Sequence, residues 1–540
     1  MNKKVIFIFF LILLLLPIAL ISVQYFEIYD FLGNIIESKE EVLVVDDNST
    51  LVMQYSPQMC SDGAGGVIIA WMDNRSGDFD IYSQRVDAKG NKLWTEEGVT
   101  ICQDPDAQTF PEIIADGEGG AIFLWANGSF TWPFGLYAQK INASGQLLWT
   151  PDAGSDGVSV CGDGGFQEFY HMISDGEGGA IISWDGSTIT GDAIITQHLT
   201  SSGQIATGWD PSGIVIVDVG STVDNPHIAS DGNGGAIIVW EDYRDEIDIY
   251  AQKISSAGAL GWTLDGIPIC TETRFQTKPR IISDGENGAI IAWGDRRGID
   301  ADTAYDIYAL RIDSTGNIVS GWNATGVGIN VEIGQQGNPQ IVSDGNHGAI
   351  IAWMNYSSGD YNIFAQRVSF DGNLLWVEEG IEICTYSENQ YLYPILADGT
   401  GNFLIPWTDY RNENTTDVDI YGQMINLNGT FQWEQDGKSL VQANSSQYLT
   451  KRVNEELPVA VNVETGEIFI SWVDKRNLND TSYDIYIKRV SSPFPGDFII
   501  IEFLQTYYGY GAIGYGVLFL IFLILLLIPS KGKKKRRKKK

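Results

Sequence analysis

Histidine, cysteine and basic side chains are all scarce in this 540-residue chain. The four histidines, His171, His198, His227 and His347, show no metal-ligand spacing, so no histidine-based metal motif is read. Five cysteines are too few, and odd in number, for a disulfide framework. Four of them, Cys102, Cys161, Cys270 and Cys384, recur at one repeat position and read as buried free thiols. No G-x-S-x-G nucleophile motif occurs. Lysine and arginine number 34 against 69 aspartates and glutamates, giving a net charge of −35. That field repels nucleic acid, so no nucleic-acid partner is expected.

The missing positive charge is concentrated at the ends. Residues 1–23 and 529–540 carry 11 of the 34 basic residues and no acidic one. Residues 5–23 are an unbroken apolar run, read as a signal peptide or signal anchor within 1–23. Residues 511–528 are a second apolar run, followed by "KGKKKRRKKK", and read as a transmembrane helix with a cytoplasmic tail at 529–540. Between them the expected order is a linker at 24–40, an extracellular domain at 41–490 and a juxtamembrane stalk at 491–510. The chain is thus expected in the cell membrane as an integral protein with its ectodomain outside.

The middle of the chain repeats. "SDGAGGVIIAW", "ADGEGGAIFLW", "SDGEGGAIISW", "SDGNGGAIIVW", "SDGENGAIIAW", "SDGNHGAIIAW", "ADGTGNFLIPW" and "ETGEIFISW" end at Trp71, Trp125, Trp184, Trp240, Trp293, Trp353, Trp407 and Trp472. Spacings of 53 to 65 residues separate them, about the length of a four-stranded repeat. Strand a is "P-x-I-x-S" and an Asp-Gly turn follows. Strand b is apolar at every position, which indicates burial on both faces. Strand c is "DIYAQK" and strand d is "GIPIC" or its like. Four-stranded sheets repeated about an axis give a β-propeller. The expected fold is all-β, an eight-bladed propeller framed by N- and C-terminal membrane helices. The last unit stops after strand c, and "EVLVV" at 41–45 supplies the missing outer strand, which closes a ring where a solenoid would need caps.

The proline, the Asp-Gly turn, the apolar strand and the "DIY" strand resemble the repeat of TolB-like propellers, over residues 41 to about 490. The strand-b tryptophan and the doubled glycine depart from that repeat. The resemblance implies fold and says little of activity, because propellers host many functions.

Five units carry Asp-x-Arg after the tryptophan and open strand c with Asp-Ile-Tyr. The expected ion pairs join each arginine to the aspartate that opens strand c: Arg75 with Asp80, Arg244 with Asp248, Arg297 with Asp306, Arg411 with Asp419 and Arg476 with Asp484. The Asp-Gly turns invite a calcium reading, but calcium needs six to eight oxygens and "SDGNGG" is turn chemistry, so no complete calcium motif and no cofactor is read. Fifteen of the 16 tryptophans fall on two repeat positions. The exception, Trp132, lies with Phe130 and Phe134 in the b–c loop of the second unit, off the core register, and is a candidate ligand contact. Where strand a enters the channel, Gln58, Glu112, His171, His227, Arg280 and Gln340 form a second candidate site. Sequons stand at Asn48, Asn74, Asn127, Asn142, Asn323, Asn355, Asn414, Asn428, Asn444 and Asn479. Three functions remain open: a surface receptor or adhesin for protein or glycan, an extracellular glycan hydrolase or lyase, and a surface-coat component. Paired acids at the channel mouth would mark the hydrolase.

Overall fold

The computed structural model describes residues 42–44, 52–128, 135–152, 155–161, 169–298, 304–331, 334–356, 359–411, 419–441, 447–448, 459–462, 467–474 and 484–490. Every strand lies in one unit, Met1–Val490. Blade 4 is the most regular. Its strands are a, Val223–Ser230; b, Ala236–Asp242; c, Asp248–Ile254; and d, Ile267–Cys270, paired antiparallel in the order a-b-c-d. Blades 1, 2, 3, 5, 6 and 7 repeat this plan over residues 54–102, 108–159, 170–217, 276–330, 335–384 and 390–441.

One more sheet draws on both ends of the chain. Val42–Leu43 pairs with Asp484–Val490, which pairs with Glu467–Asp474, which in turn takes the short segments Gln447–Tyr448 and Val459–Asn462. Val459–Asn462 touches the inner strands of both blade 1 and blade 7, so the sheets form a closed β-propeller. Arg489 of this composite sheet donates to the Ala88 carbonyl of blade 1 at 3.0 Å, a further tie across the closure.

The expected fold class, an eight-bladed ring framed by membrane helices, does not stand as written. Seven blades are built of consecutive strands, the remaining sheet is composite, and the described residues contain strands and no helix. Among the described residues no helix is long and apolar enough to cross a membrane. The apolar runs at 5–23 and 511–528 lie outside them.

Strand b packs between neighbouring blades, and all seven of its residues in blade 4 are buried. Its tryptophan is the largest buried side chain of each sheet. Burying an indole leaves one N–H that needs an acceptor. In blade 4 the Trp240 Nε1 donates to Asp242 at 3.1 Å, and Arg244 binds the same carboxylate at 2.6 Å. The guanidinium lies 4.1 Å from the Tyr250 ring centre, and that ring is stacked on Trp240. The same knot is built from Trp71, Asp73, Arg75 and Tyr82, from Trp293, Asp295, Arg297 and Tyr308, and from Trp407, Asp409, Arg411 and Tyr421. Glycine precedes strand d because the chain crosses the indole edge there. A Cβ on Gly266 would sit 2.5 Å from Trp240 Cη2, on a backbone with φ of +84°.

Blade is tied to blade by a second repeated device. The turn aspartate Asp231 accepts the N–H groups of Asn233 and Gly235 through one oxygen and the Lys253 ammonium, at 3.2 Å, through the other. Arg85 with Asp62, Arg311 with Asp284 and Arg367 with Asp344 are its counterparts. Each of these three arginines also reaches a carbonyl in the c–d turn of the next blade, and the tryptophan before strand d donates to the same atom. Arg85 and Trp94 share Ala143, Arg311 and Trp322 share Phe370, and Arg367 and Trp376 share Leu427.

Removing the acceptor of the knot leaves a buried indole N–H and a half-buried guanidinium without their carboxylate. Asp242→Ala is expected to cost about 3–5 kcal/mol, read as a lower denaturation midpoint at unchanged slope. Asp245→Ala, which removes an exposed carboxylate of the same b–c loop, is the comparison, and an equal loss there would show that the knot contributes nothing special.

Candidate functional site

The inner strands carry the candidate site. In five blades strand a is interrupted by a β-bulge in which two residues, the second a proline, face one tryptophan of strand b. In blade 4 the register passes from Asp224 opposite Glu241 to His227 opposite Val239, leaving Asn225 and Pro226 against Trp240. Proline offers no ladder donor, so it fits a bulge. The residue before it takes a left-handed backbone: Ser56 at φ 48°, Phe110 at 53°, Asn225 at 54°, Lys278 at 53° and Asn338 at 54°. For residues other than glycine this conformation carries strain, and repeated strain of this kind gathers where side chains must be aimed.

The residue after each proline lines one cavity on the axis. Gln58, Glu112, His227, Arg280 and Gln340 come from blades 1, 2, 4, 5 and 6, and His171 of blade 3 joins them from an unbulged strand. The structure therefore brings all six channel residues expected from the sequence to one place. Phe110, Met172 and Pro394 add apolar surface. The cavity volume is about 320 Å³.

Four of these groups form a chain around half of the ring. Glu112 meets His171 Nδ1 at 3.0 Å. The His171 and His227 rings stack with centroids 4.4 Å apart. His227 contacts the Arg280 guanidinium in turn. Burial, with the Arg280 charge and the His171 ring beside it, holds the His227 imidazole well below its ordinary pKa. Among the described lining residues Glu112 is the one carboxylate, and it is held by histidine. A pair of facing acids, the arrangement that marks a glycoside hydrolase, is not formed by them.

An aromatic run that sequence reasoning missed lies where blades 6 and 7 meet, among the b–c loops and strand-a starts. Tyr356, Tyr361, Tyr391 and Tyr410 follow one another with ring centroids 5.0, 5.8 and 5.6 Å apart, and Tyr356 and Tyr391 are exposed. Tyr391 stands three residues before the cavity-lining Pro394. Tyr391 and Tyr410 stand at the positions of Tyr55 and Tyr243, and Tyr361 at that of Phe79 and Tyr305, so aromatics recurring at these loop positions were the signal the sequence offered.

The expected ion pairs need correction. Arg75, Arg244, Arg297 and Arg411 bind directly the aspartate two residues before them, Asp73, Asp242, Asp295 and Asp409, because that carboxylate already points inward to the tryptophan. Asp80, Asp248, Asp306 and Asp419 instead stand opposite those aspartates across the b–c hairpin. Burial, with Asp242 and then Asp295 facing them, pushes the carboxyls of Asp248 and Asp306 up to about 6. Arg476 and the side chain of Asp484 lie outside the described residues, as do Phe130, Trp132 and Phe134. The five cysteines are buried and free, and burial raises the thiol pKa of Cys60, Cys102, Cys270 and Cys384.

Among the sequons, Asn323 and Asn428 are exposed, and Asn74, Asn127 and Asn142 are half-buried. Asn355 is corrected: it is buried in strand b and leaves no room for a glycan. Asn48, Asn414, Asn444 and Asn479 lie outside the described residues. For the calcium reading, the turn aspartates Asp62, Asp231, Asp284 and Asp344 already hold backbone N–H groups and a lysine or arginine of the chain itself.

A raised carboxyl pKa means that the folded state holds the proton more tightly than the unfolded chain. Its contribution is therefore gained as pH falls through about 6 and lost above it. Asp248→Asn should accordingly melt about 1–2 °C higher than the parent at pH 7.5, and the gap should narrow as pH falls below about 6 and close near the unfolded carboxyl's ordinary value, about pH 4. A gap that stays constant with pH in thermal melts would rule out Asp248 as the titrating group.

No protein-family model matches the chain, and no curated protein matches it. Solved structures do. A ulvan lyase, from a new family of polysaccharide lyase, is similar with a TM-score of 0.42 and 10% identity, over 74% of this chain and 98% of that one. The β-propeller domain of the trilobed protease from Pyrococcus furiosus is similar with a TM-score of 0.39 and 9% identity, over 72% and 98%. Puromycin hydrolase is similar with a TM-score of 0.40 and 11% identity, over 73% of this chain and 55% of the hydrolase, so the chain spans about half that protein's length. These are likenesses of fold.

Proposed function

We propose that this chain is a glycan-binding β-propeller that works outside the cytoplasm. The observation that carries the reading is the axial cavity, whose polar residues are aimed by strained bulges in a scaffold otherwise devoted to repetition. Pockets that bind small groups combine apolar walls with a few placed polar ones, and Gln58, Gln340, Phe110 and Met172 supply that mixture. The exposed tyrosine run favours glycan over protein, since a tyrosine presents an apolar ring face and a hydroxyl together. The acidic surface and the exposed sequons Asn323 and Asn428 support an extracellular setting. Trp132 in the 130–134 loop remains a candidate second contact.

Binding of the full-length chain to a glycan array and to a panel of extracellular proteins tests the reading. Glycan hits that weaken about tenfold in Tyr391→Ala, and less in Trp132→Ala, are expected. Hits confined to proteins, or glycan hits indifferent to Tyr391→Ala and to changes at Gln58 and Gln340, would overturn it.

A further inference from the structure

The cavity is asymmetric in charge, and the asymmetry narrows its ligand. Glu112, His171, His227 and Arg280 occupy four consecutive blades in the order acid, imidazole, imidazole, base. The acid end is already engaged by His171 at 3.0 Å. Arg280 stands at the other end, and it and Gln340 of the following blade both line the cavity. A guanidinium is a fixed fork of donors that matches a carboxylate in bidentate geometry, and a glutamine amide adds a donor and an acceptor for hydroxyls. The volume of about 320 Å³ suits one hexose-sized group and not a chain segment. We propose that the axial cavity recognises the carboxylate of a sugar acid, with Arg280 as its anion-binding residue and the stacked His171–His227 pair as a proton-linked partner. This rests on the glycan reading above and gives it a substrate class.

The charge balance sets the direction of the pH effect. His227 faces Arg280 from blade 5, His171 from blade 3 and, through His171, Glu112 from blade 2; Lys278 precedes Arg280 by two residues. Arg280 opposes protonation of His227 in the empty cavity. A bound carboxylate offsets the guanidinium charge and favours the imidazolium. Binding therefore takes up protons, and by linkage affinity rises as pH falls.

Calorimetric titration of the full-length protein with glucuronate, glucose and acetate at pH 8 and pH 6 tests this. Glucuronate is expected to bind at least about tenfold more tightly than glucose, and about threefold or more tightly at pH 6 than at pH 8. The preference should vanish in Arg280→Gln and be partly kept in Arg280→Lys, with melting curves of both variants confirming the fold. Equal binding of glucose, pH-independent binding, or full binding by Arg280→Gln would overturn the proposal. Acetate binding as tightly as glucuronate would reduce the site to a bare anion site and overturn the sugar assignment. Failure of glucuronate to bind would overturn the carboxylate proposal even where the array still returns neutral glycans, an outcome that leaves the glycan reading standing.

Discussion

The ring depends on what happens to one N–H. Every sheet buries a tryptophan at the centre of strand b, where it packs against the neighbouring blade, and its indole nitrogen has no water to turn to. In four described blades the aspartate two residues later accepts that hydrogen. A buried carboxylate is costly on its own, so an arginine two residues further on neutralises it, and that arginine needs a flat surface, which the strand-c tyrosine provides. Four repeat positions thus follow from one buried donor. Two of the three described blades that lack the knot show the cost. Trp125 and Trp353 have no hydrogen-bond partner for Nε1 among the described residues, a deficit of about 1–3 kcal/mol each, which the ring tolerates because its other knots are intact.

Closure is the second constraint. Sheets that face each other through buried strand b need a neighbour on both sides, and only a ring gives every blade two. The composite sheet meets this by joining Val42–Leu43 to strands from the far end of the domain. The strand-c cations then work across the seams. Arg85, Arg311 and Arg367 each join a turn aspartate of their own blade to a carbonyl of the next, and Arg489 reaches Ala88 to span the last seam. Rotation of one blade against another would break these hydrogen bonds together.

Much of this was legible in the sequence because repetition makes it so. A fully apolar five-residue strand ending in tryptophan implies two-sided burial, and a lone strand before the first unit implies closure. What was misread is equally instructive. The arginine was assigned to the aspartate that opens strand c because the two co-occur. They co-occur because the arginine stacks on the tyrosine of that strand while binding the aspartate beside the tryptophan, a three-way contact that spacing alone does not distinguish from a pair. The role of the basic residue in "AQK" was not legible because its partner lies 22 residues back in a turn. The tyrosine run was missed because it is assembled from two blades.

The channel residues were found for a different reason. Five of the six follow a repeated proline, so their position is fixed by the fold while their identity is free. Each bulge forces the residue before the proline into a left-handed backbone whether that residue is Ser56, Phe110, Asn225, Lys278 or Asn338. The strain is therefore not a local accident of one side chain but a property of the unit, carried by the packing of tryptophan behind it. A scaffold that holds such a distortion in five blades can vary the next residue among glutamine, glutamate, histidine and arginine without disturbing its core. Those are the identities a cavity needs to discriminate between ligands, and the tight repetition outside the axis is what leaves them free to differ.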